Sequence, residues 1–424
     1  MNRDYEKSSL QLMVFTMIAN FMNYLFQISA ARVVSVEDFG TLNVLISTIF
    51  VLQVPGQACQ LLAAKNISVI NTDKNSSELH KTILGLLRIS ILMCTLCLTV
   101  GVILSPIFNQ WMRIDNIVYT LIMLVVAGLG LGQFLVMGIT QGLQRFVAMS
   151  MVKLTHAVVR VFGVFLAWLF IVYSGDRMTL IMSSMIVSTS LSILVGIYAL
   201  KNSNISSDTI SFKEIFTSFV LPYKEFGIVF ILNLCVILIM YMDIFLVRMN
   251  VSDYWSGLYS GAVQIARIMI FASLILISTF LPMVSRVKAK GDSTIGLYFK
   301  VLIYICIFFG VGLAPILMFP EFIIRIFVGD RYIASAVYLQ YTYFIAFGVV
   351  LIMLNMNYLI ALEKTLFALG SYALGVVACL IIGVLIQMTI PQIALMIFIV
   401  SLGIYFINLG YLLYSQTKIF SRQT

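Results

Sequence analysis

Charge is what this chain has least of. Asp, Glu, Lys and Arg together make 10% of its 424 residues, while 61% are hydrophobic. A water-soluble domain carries about 25% charged residues, because its surface must be wetted. A single core folded in water is therefore excluded. Lipid must be the solvent, and backbone polar groups must then be satisfied within helices or a closed barrel. Barrel strands alternate over about ten residues. The apolar runs here approach 20 residues with hardly a charge, which favours helices. The chain reads as an all-α, polytopic membrane protein.

Other shortages narrow the chemistry. The six cysteines (Cys59, Cys94, Cys97, Cys235, Cys306 and Cys379) all lie within apolar runs. Cys94 and Cys97 form a C-x-x-C, but without a second pair or a nearby histidine, so packing is expected rather than redox or zinc chemistry. No metal, cofactor or catalytic residue is expected. The first apolar run begins near Leu10 and lacks a small-residue cleavage pattern followed by a polar domain, so no cleavable signal peptide is expected.

What is present is about twelve apolar spans, near 10–31, 39–62, 83–108, 117–139, 154–173, 178–200, 226–248, 257–282, 298–319, 334–360, 366–389 and 392–414. Most lysines and arginines fall on one side if both termini are cytoplasmic. The other side keeps only Arg32, Arg113, Arg177, Arg248, Arg325 and Arg331. The net charge of +9 is thus a positive-inside signal, and nucleic-acid binding is not needed to explain it. The longest connection, 201–225, contains "SFKEIFTSFVLPYKEFG", with Phe212, Ile215, Phe216, Phe219 and Val220 on one helical face and Pro222 as a stop. It reads as an amphipathic cytoplasmic linker between bundles at 1–200 and 226–424.

The two halves repeat one another. "RVVSVEDFGTLNVL" is echoed by "VRMNVSDYWSGLYSGA", which sets Gly40 against Gly257 at an offset of 217. "QGLQRF" is echoed by "IALEKT", which sets Gly142 against Ala361 at an offset of 219. Two matches at nearly one offset argue for a duplicated six-span unit. Six is even, so both copies share an orientation, and a binding site near the midplane between the halves is expected.

These stretches, with "MDIFLVRMNVSDYWSGLYSGAVQIAR", "LPMVSR" and "FPEFIIRIFVGDRYIASAVYL", carry a resemblance. The chain resembles the polysaccharide transporters, or lipid-linked oligosaccharide flippases, of the multidrug/oligosaccharidyl-lipid/polysaccharide exporter superfamily. The resemblance implies two six-helix bundles around a central cavity in a bacterial cytoplasmic membrane. It implies a lipid-linked, undecaprenyl-pyrophosphate type glycan as substrate, moved outward for capsule, O-antigen or exopolysaccharide. Polysaccharide assembly proteins are the protein partners it suggests.

Ionisable residues within a span are functional candidates by default, because burying charge in lipid is costly. Arg160 and Arg267 lie within spans, one in each half. Their guanidinium groups could grip a pyrophosphate through paired hydrogen bonds. They could instead form a buried ion pair with Asp243 or pack against carbonyls, and Arg160 could snorkel to the cytoplasmic face. Gln264 shares the face of Arg267. Thr16, Asn20, Asn23 and Gln27 form a polar stripe on the first span, lining a glycan path or bonding helix to helix. His156 shares a face with Arg160 but reads as structural. Arg32 and Arg248 mark the repeated outer turn. Asp243 is the only acidic residue deep in a span, and it matches Gln27 of the other half. It either couples transport to a proton or sodium ion or holds Arg248 or Arg32 at the outer rim.

Three functions compete. A lipid-linked oligosaccharide flippase needs a basic, hydrated cavity and alternating access between two lobes. A cation-coupled multidrug antiporter of the same superfamily needs acidic cavity residues, and only Asp243 is available. A membrane glycan polymerase or glycosyltransferase needs a sizeable outer loop with acidic residues, and the only outer cluster is Glu37–Asp38. A non-transporting assembly scaffold would share the same composition.

Overall fold

Apolar runs of this length fold as helices because no other structure satisfies the backbone in hydrocarbon. The computed structural model describes residues 3–73, 76–169, 176–201, 223–289, 294–362 and 364–420. Among the described residues there is no strand. The first helices are α1 (Arg3–Val33), α2 (Val36–Leu52), α3 (Val54–Asp73), α4 (Ser76–Met112), α5 (Ile117–Gly142), α6 (Phe146–Leu169) and α7 (Arg177–Lys201). The rest are α8 (Tyr223–Asn250), α9 (Asp253–Ala289), α10 (Ile295–Met318), the short α11 (Pro320–Phe327), α12 (Ala336–Ala361), α13 (Thr365–Leu385) and α14 (Ile390–Phe420). A 3-10 turn at Asp330–Ser335 leads into α12. The proposed amphipathic linker helix lies outside the described residues.

Among the described residues, ten helices are long and apolar enough to cross a membrane, and the pair α2–α3 makes an eleventh if it counts as one span. The chain is a multi-pass membrane protein. The second expected span is not one straight helix, since α2 and α3 meet at a 41° bend. Pro55 is the cause: it has no N–H to donate to Val51, and its ring crowds that carbonyl.

The chain divides into two compact units, Met1–Ser35 with Leu45–Phe230, and Val36–Val44 with Ile231–Thr424. In the first, α5 is the buried centre, packed by α3, α4, α6 and α7, while α1 lies against α6. In the second, α12 is the centre, packed by α9, α10, α13 and α14. Large side chains such as Ile103 and Trp111 on α4, and Leu374 and Leu385 on α13, stay exposed. That is the surface expected of helices bathed in lipid. The division departs from an uninterrupted first bundle at one place: the opening turns of α2 belong with the second unit.

Both repeated sequences adopt repeated structure. Gly40 is the fifth residue of α2, and Gly257 is the fifth of α9. At the end of α5, Leu143 N–H donates to Ile139 O at 3.0 Å and Arg145 N–H to Thr140 O at 2.8 Å. At the end of α12, Leu362 N–H donates to Tyr358 O at 3.0 Å and Lys364 N–H to Leu359 O at 2.9 Å. Each donor and acceptor in the second turn is offset from the first by the 219 residues that separate Gly142 from Ala361.

Candidate functional site

The second unit assembles its polar centre where α2 and α9 cross. The two repeated glycines meet there, which brings the α2 side chains close to α9. Asn43 is fully buried; its Nδ2 donates to Phe39 O at 2.9 Å, and Gln264 Nε2 donates to its Oδ1. Arg248 on α8 is 1% exposed. It donates to Thr41 Oγ1 at 3.1 Å and faces Asp253 at 3.3 Å.

A rim pair of Asp243 with Arg248 is therefore not what forms. The acid beside Arg248 is Asp253, and Arg32 is exposed at the end of α1. Helix geometry explains this. At 3.6 residues per turn, five residues separate two side chains by about 140°, so Asp243 and Arg248 point to different sides of α8.

Asp243 instead faces Tyr259 and Arg267. It is 3% exposed, accepts from Tyr259 Oη at 3.0 Å and from the Ile244 amide at 2.9 Å, and feels the Arg267 charge. Arg267 is 5% exposed, with its guanidinium carbon 4.3 Å from the centre of the Tyr241 ring. Its Nε and Nη2 are buried and have no hydrogen-bond partner among the described residues. Those two nitrogens form the side-on edge of the guanidinium, the edge that grips a carboxylate or phosphate in a fork.

In the first unit, Arg160 is buried on α6 rather than reaching to a membrane face. Its guanidinium stacks 4.1 Å over the Phe26 ring, and Nη1 donates to Asn23 Oδ1 at 3.5 Å. Gln27 is half-buried, and its Oε1 is sealed with no hydrogen-bond partner. Asn20 is exposed.

The structure thus gathers Asp243 and Arg267 in one unit and Asn23 and Arg160 in the other. It places Gln264 in a bond to Asn43 and Arg248 in a pair with Asp253. Tyr259, Tyr241, Asn43 and Phe26 were not singled out from sequence. Phe26 follows Asn23 by three residues, a spacing that could have flagged it. Tyr259 and Tyr241 were hidden among 20 tyrosines expected mainly in interfacial belts. Several tyrosines are instead buried hydrogen-bonding groups. Tyr298 Oη donates to Asn355 Oδ1, Tyr343 Oη donates to Phe309 O at 2.7 Å, and Thr294 bonds Tyr358 Oη at 2.6 Å. The cysteines are free, and no group of three or more His, Cys, Asp or Glu among the described residues could hold a metal.

No sequence profile of a known protein family matches the chain, and comparison with characterised proteins finds no sequence relative. Solved structures do match its shape. An inward-facing multidrug resistance MATE family transporter of the MOP superfamily has a TM-score of 0.76 at 11% identity, with 98% of each chain covered. The lipid II flippase MurJ, in an inward closed conformation, has a TM-score of 0.66 at 14% identity, covering 96% of this chain and 87% of its own. A MOP superfamily transporter from Pyrococcus furiosus, described as having a binding pocket of reversed polarity, has a TM-score of 0.65 at 11% identity, covering 97% and 94%. The fold is that of the MOP superfamily transporters.

Proposed function

We propose that the protein is a flippase for a lipid-linked oligosaccharide of the undecaprenyl-pyrophosphate type, working by alternating access in a bacterial cytoplasmic membrane with both termini inside. The observation that carries this reading is Arg267, whose side-on edge is buried and without a protein partner. A buried cation left with open donors suits an anionic head group, because a diphosphate oxygen pair supplies the missing acceptors. The lipid II flippase among the structural neighbours handles a lipid-linked substrate in the same fold. Asp243, beside Arg267, is the candidate coupling group for a proton or sodium ion. The polysaccharide made from the glycan is capsule, O-antigen or exopolysaccharide.

A second reading, a cation-coupled multidrug antiporter, is favoured by the likeness to MATE transporters and by the buried carboxylate of Asp243. Arg267 and Arg160 oppose it, since they repel cationic drugs. Replacement of Arg267 separates the two. Arg267→Ala should abolish export of the lipid-linked glycan while the protein still inserts, and Arg267→Lys should restore export only in part, because an ammonium lacks the fork. Normal glycan export by Arg267→Ala, or drug efflux that improves, sinks the flippase reading.

A further inference from the structure

Arg160 does not stand alone on its helix. Lys153, His156 and Arg160 fall at i, i+3 and i+7 of α6, so one face carries three basic side chains over a rise of about 10 Å. Lys153 and His156 are half-buried, and the Arg160 charge reaches His156. Among the described residues, neither Lys153 nor His156 has a hydrogen bond or ion pair. From Val14 onward α1 carries no Asp or Glu, and neither α6 nor α7 carries any.

The neighbouring helix matches this row. Arg177 opens α7 and donates to Val33 O at the end of α1. The end of α6 that leads to α7 is therefore level with the end of α1, and the two helices run parallel. Asn23 meets Arg160, and one heptad earlier on each helix stand Thr16 and Lys153. Helix-to-helix bonding does not use up this polar face, since Gln27 Oε1 is buried with no partner. Lys153 and Arg160 on one buried face, with the His156 N–H groups between them, are costly to hold in a membrane span unless an anion comes to them.

We propose that Lys153, His156 and Arg160 form an anion-binding row in the first unit, whose ligand is a diphosphate. This rests on the flippase reading for the class of ligand, and it adds Lys153 and His156 to the residues that touch it.

The full chain offers a clean probe, because it contains only two histidines, His80 and His156. In an 15N-histidine-labelled His80→Gln variant in lipid nanodiscs, the remaining imidazole signal reports His156. Inorganic pyrophosphate and geranylgeranyl diphosphate are titrated separately. The imidazole resonances should move with one or both, and Lys153→Gln should raise the half-saturating concentration by about tenfold, the loss of one charge-assisted hydrogen bond. His156→Gln removes the reporting imidazole, so its binding is read from the 31P resonances of the probe; it should weaken in the same direction, while Lys300→Gln, an exposed site in the other unit, should not. A response to both probes supports a diphosphate site; a response to the isoprenyl compound alone supports one that requires the lipid-borne form. If Lys153→Gln and His156→Gln bind both probes like wild type while Arg267→Ala loses them, the row is overturned and the flippase reading stands. If neither probe binds the wild-type protein, both fall.

Discussion

Gly40 and Gly257 approach backbone to backbone where α2 crosses α9. A Cβ built on Gly40 would stand 2.9 Å from the Gly257 nitrogen and 3.0 Å from its Cα. A Cβ on Gly257 would strike the carbonyl oxygen of Val36. The repeated sequence motif is thus also a contact, each copy providing the hollow for the other.

Alanine at either glycine should therefore be destabilising, and Gly257→Ala should be the worse. A backbone carbonyl cannot swing aside, so overpacking of about 1–3 kcal/mol is expected. Gly403→Ala on α14 is the control. Nothing lies within 4 Å of its added Cβ, and alanine favours helix over glycine. Thermal unfolding in detergent should place Gly403→Ala at or above wild type, Gly40→Ala below it, and Gly257→Ala lowest.

Run length and hydropathy made the helices legible, because lipid allows no other answer. The repeated turns were legible as repetition, and each proved to be the same local structure. Neighbourhood was not legible. Nothing in the sequence says that Asn43 sits beside Gln264, since which helices touch is a tertiary fact. The same gap hid the opening turns of α2 in the second unit and left the partner of Asp243 open among Arg32, Arg248, Arg160 and Arg267. Five-residue spacing looked like a pair at the rim, whereas on a helix it points two side chains apart. The α2–α3 bend could have been read from Pro55.

Arg248 should couple to Asp253 and not to Asp243. Replacing Asp253 by Asn leaves a guanidinium that is 1% exposed with its bond to Thr41 but without its counter-charge. The loss should fall below the roughly 3–5 kcal/mol of a fully buried pair, because the Asp253 side chain is 42% exposed. Arg248→Gln with Asp253→Asn should cost less than the sum of the singles, while Arg248→Gln with Asp243→Asn should be additive. The reverse pattern in a double-mutant cycle of unfolding temperatures would restore the rim pair.

Acid should loosen the start of α7. Asp176 precedes that helix and accepts from the Met178 amide at 2.9 Å, Thr179 Oγ1 at 2.5 Å and Tyr119 Oη. Burial raises its pKa, but the hydrogen bonds of Thr179, Tyr119 and the backbone amides outweigh it and hold the carboxyl below its ordinary value of 3.8. A group whose folded pKa is depressed stabilises the fold above its unfolded pKa and loses that contribution as pH falls through the folded value. The wild-type unfolding temperature should thus drop between pH 5 and acid more than that of Asp176→Asn. Asparagine keeps the cap without titrating. Equal slopes for the two proteins would show that the carboxylate contributes nothing.

Asp243 and Arg267 should prove to be electrostatic partners whose loss separates stability from transport. Both are nearly sealed, Asp243 beside Tyr259 and Arg267 over Tyr241, and the Arg267 charge acts on Asp243. Asp243→Asn leaves Arg267 buried without its counter-charge, and Arg267→Gln leaves the carboxylate in the same position. Each single change should therefore lower the unfolding temperature, and the double change should recover much of it, since removing both charges of a buried pair can be nearly neutral. Transport should follow another rule. If Asp243 exchanges a coupling ion, no uncharged replacement restores it, so the recovered double mutant should insert and fold yet lack gradient-driven flipping in proteoliposomes. Single-mutant Asp243→Asn should retain diphosphate binding while losing its response to an imposed proton or sodium gradient. Recovery of gradient-driven transport in the double mutant would assign Asp243 to holding Arg267 in place and remove it from coupling altogether.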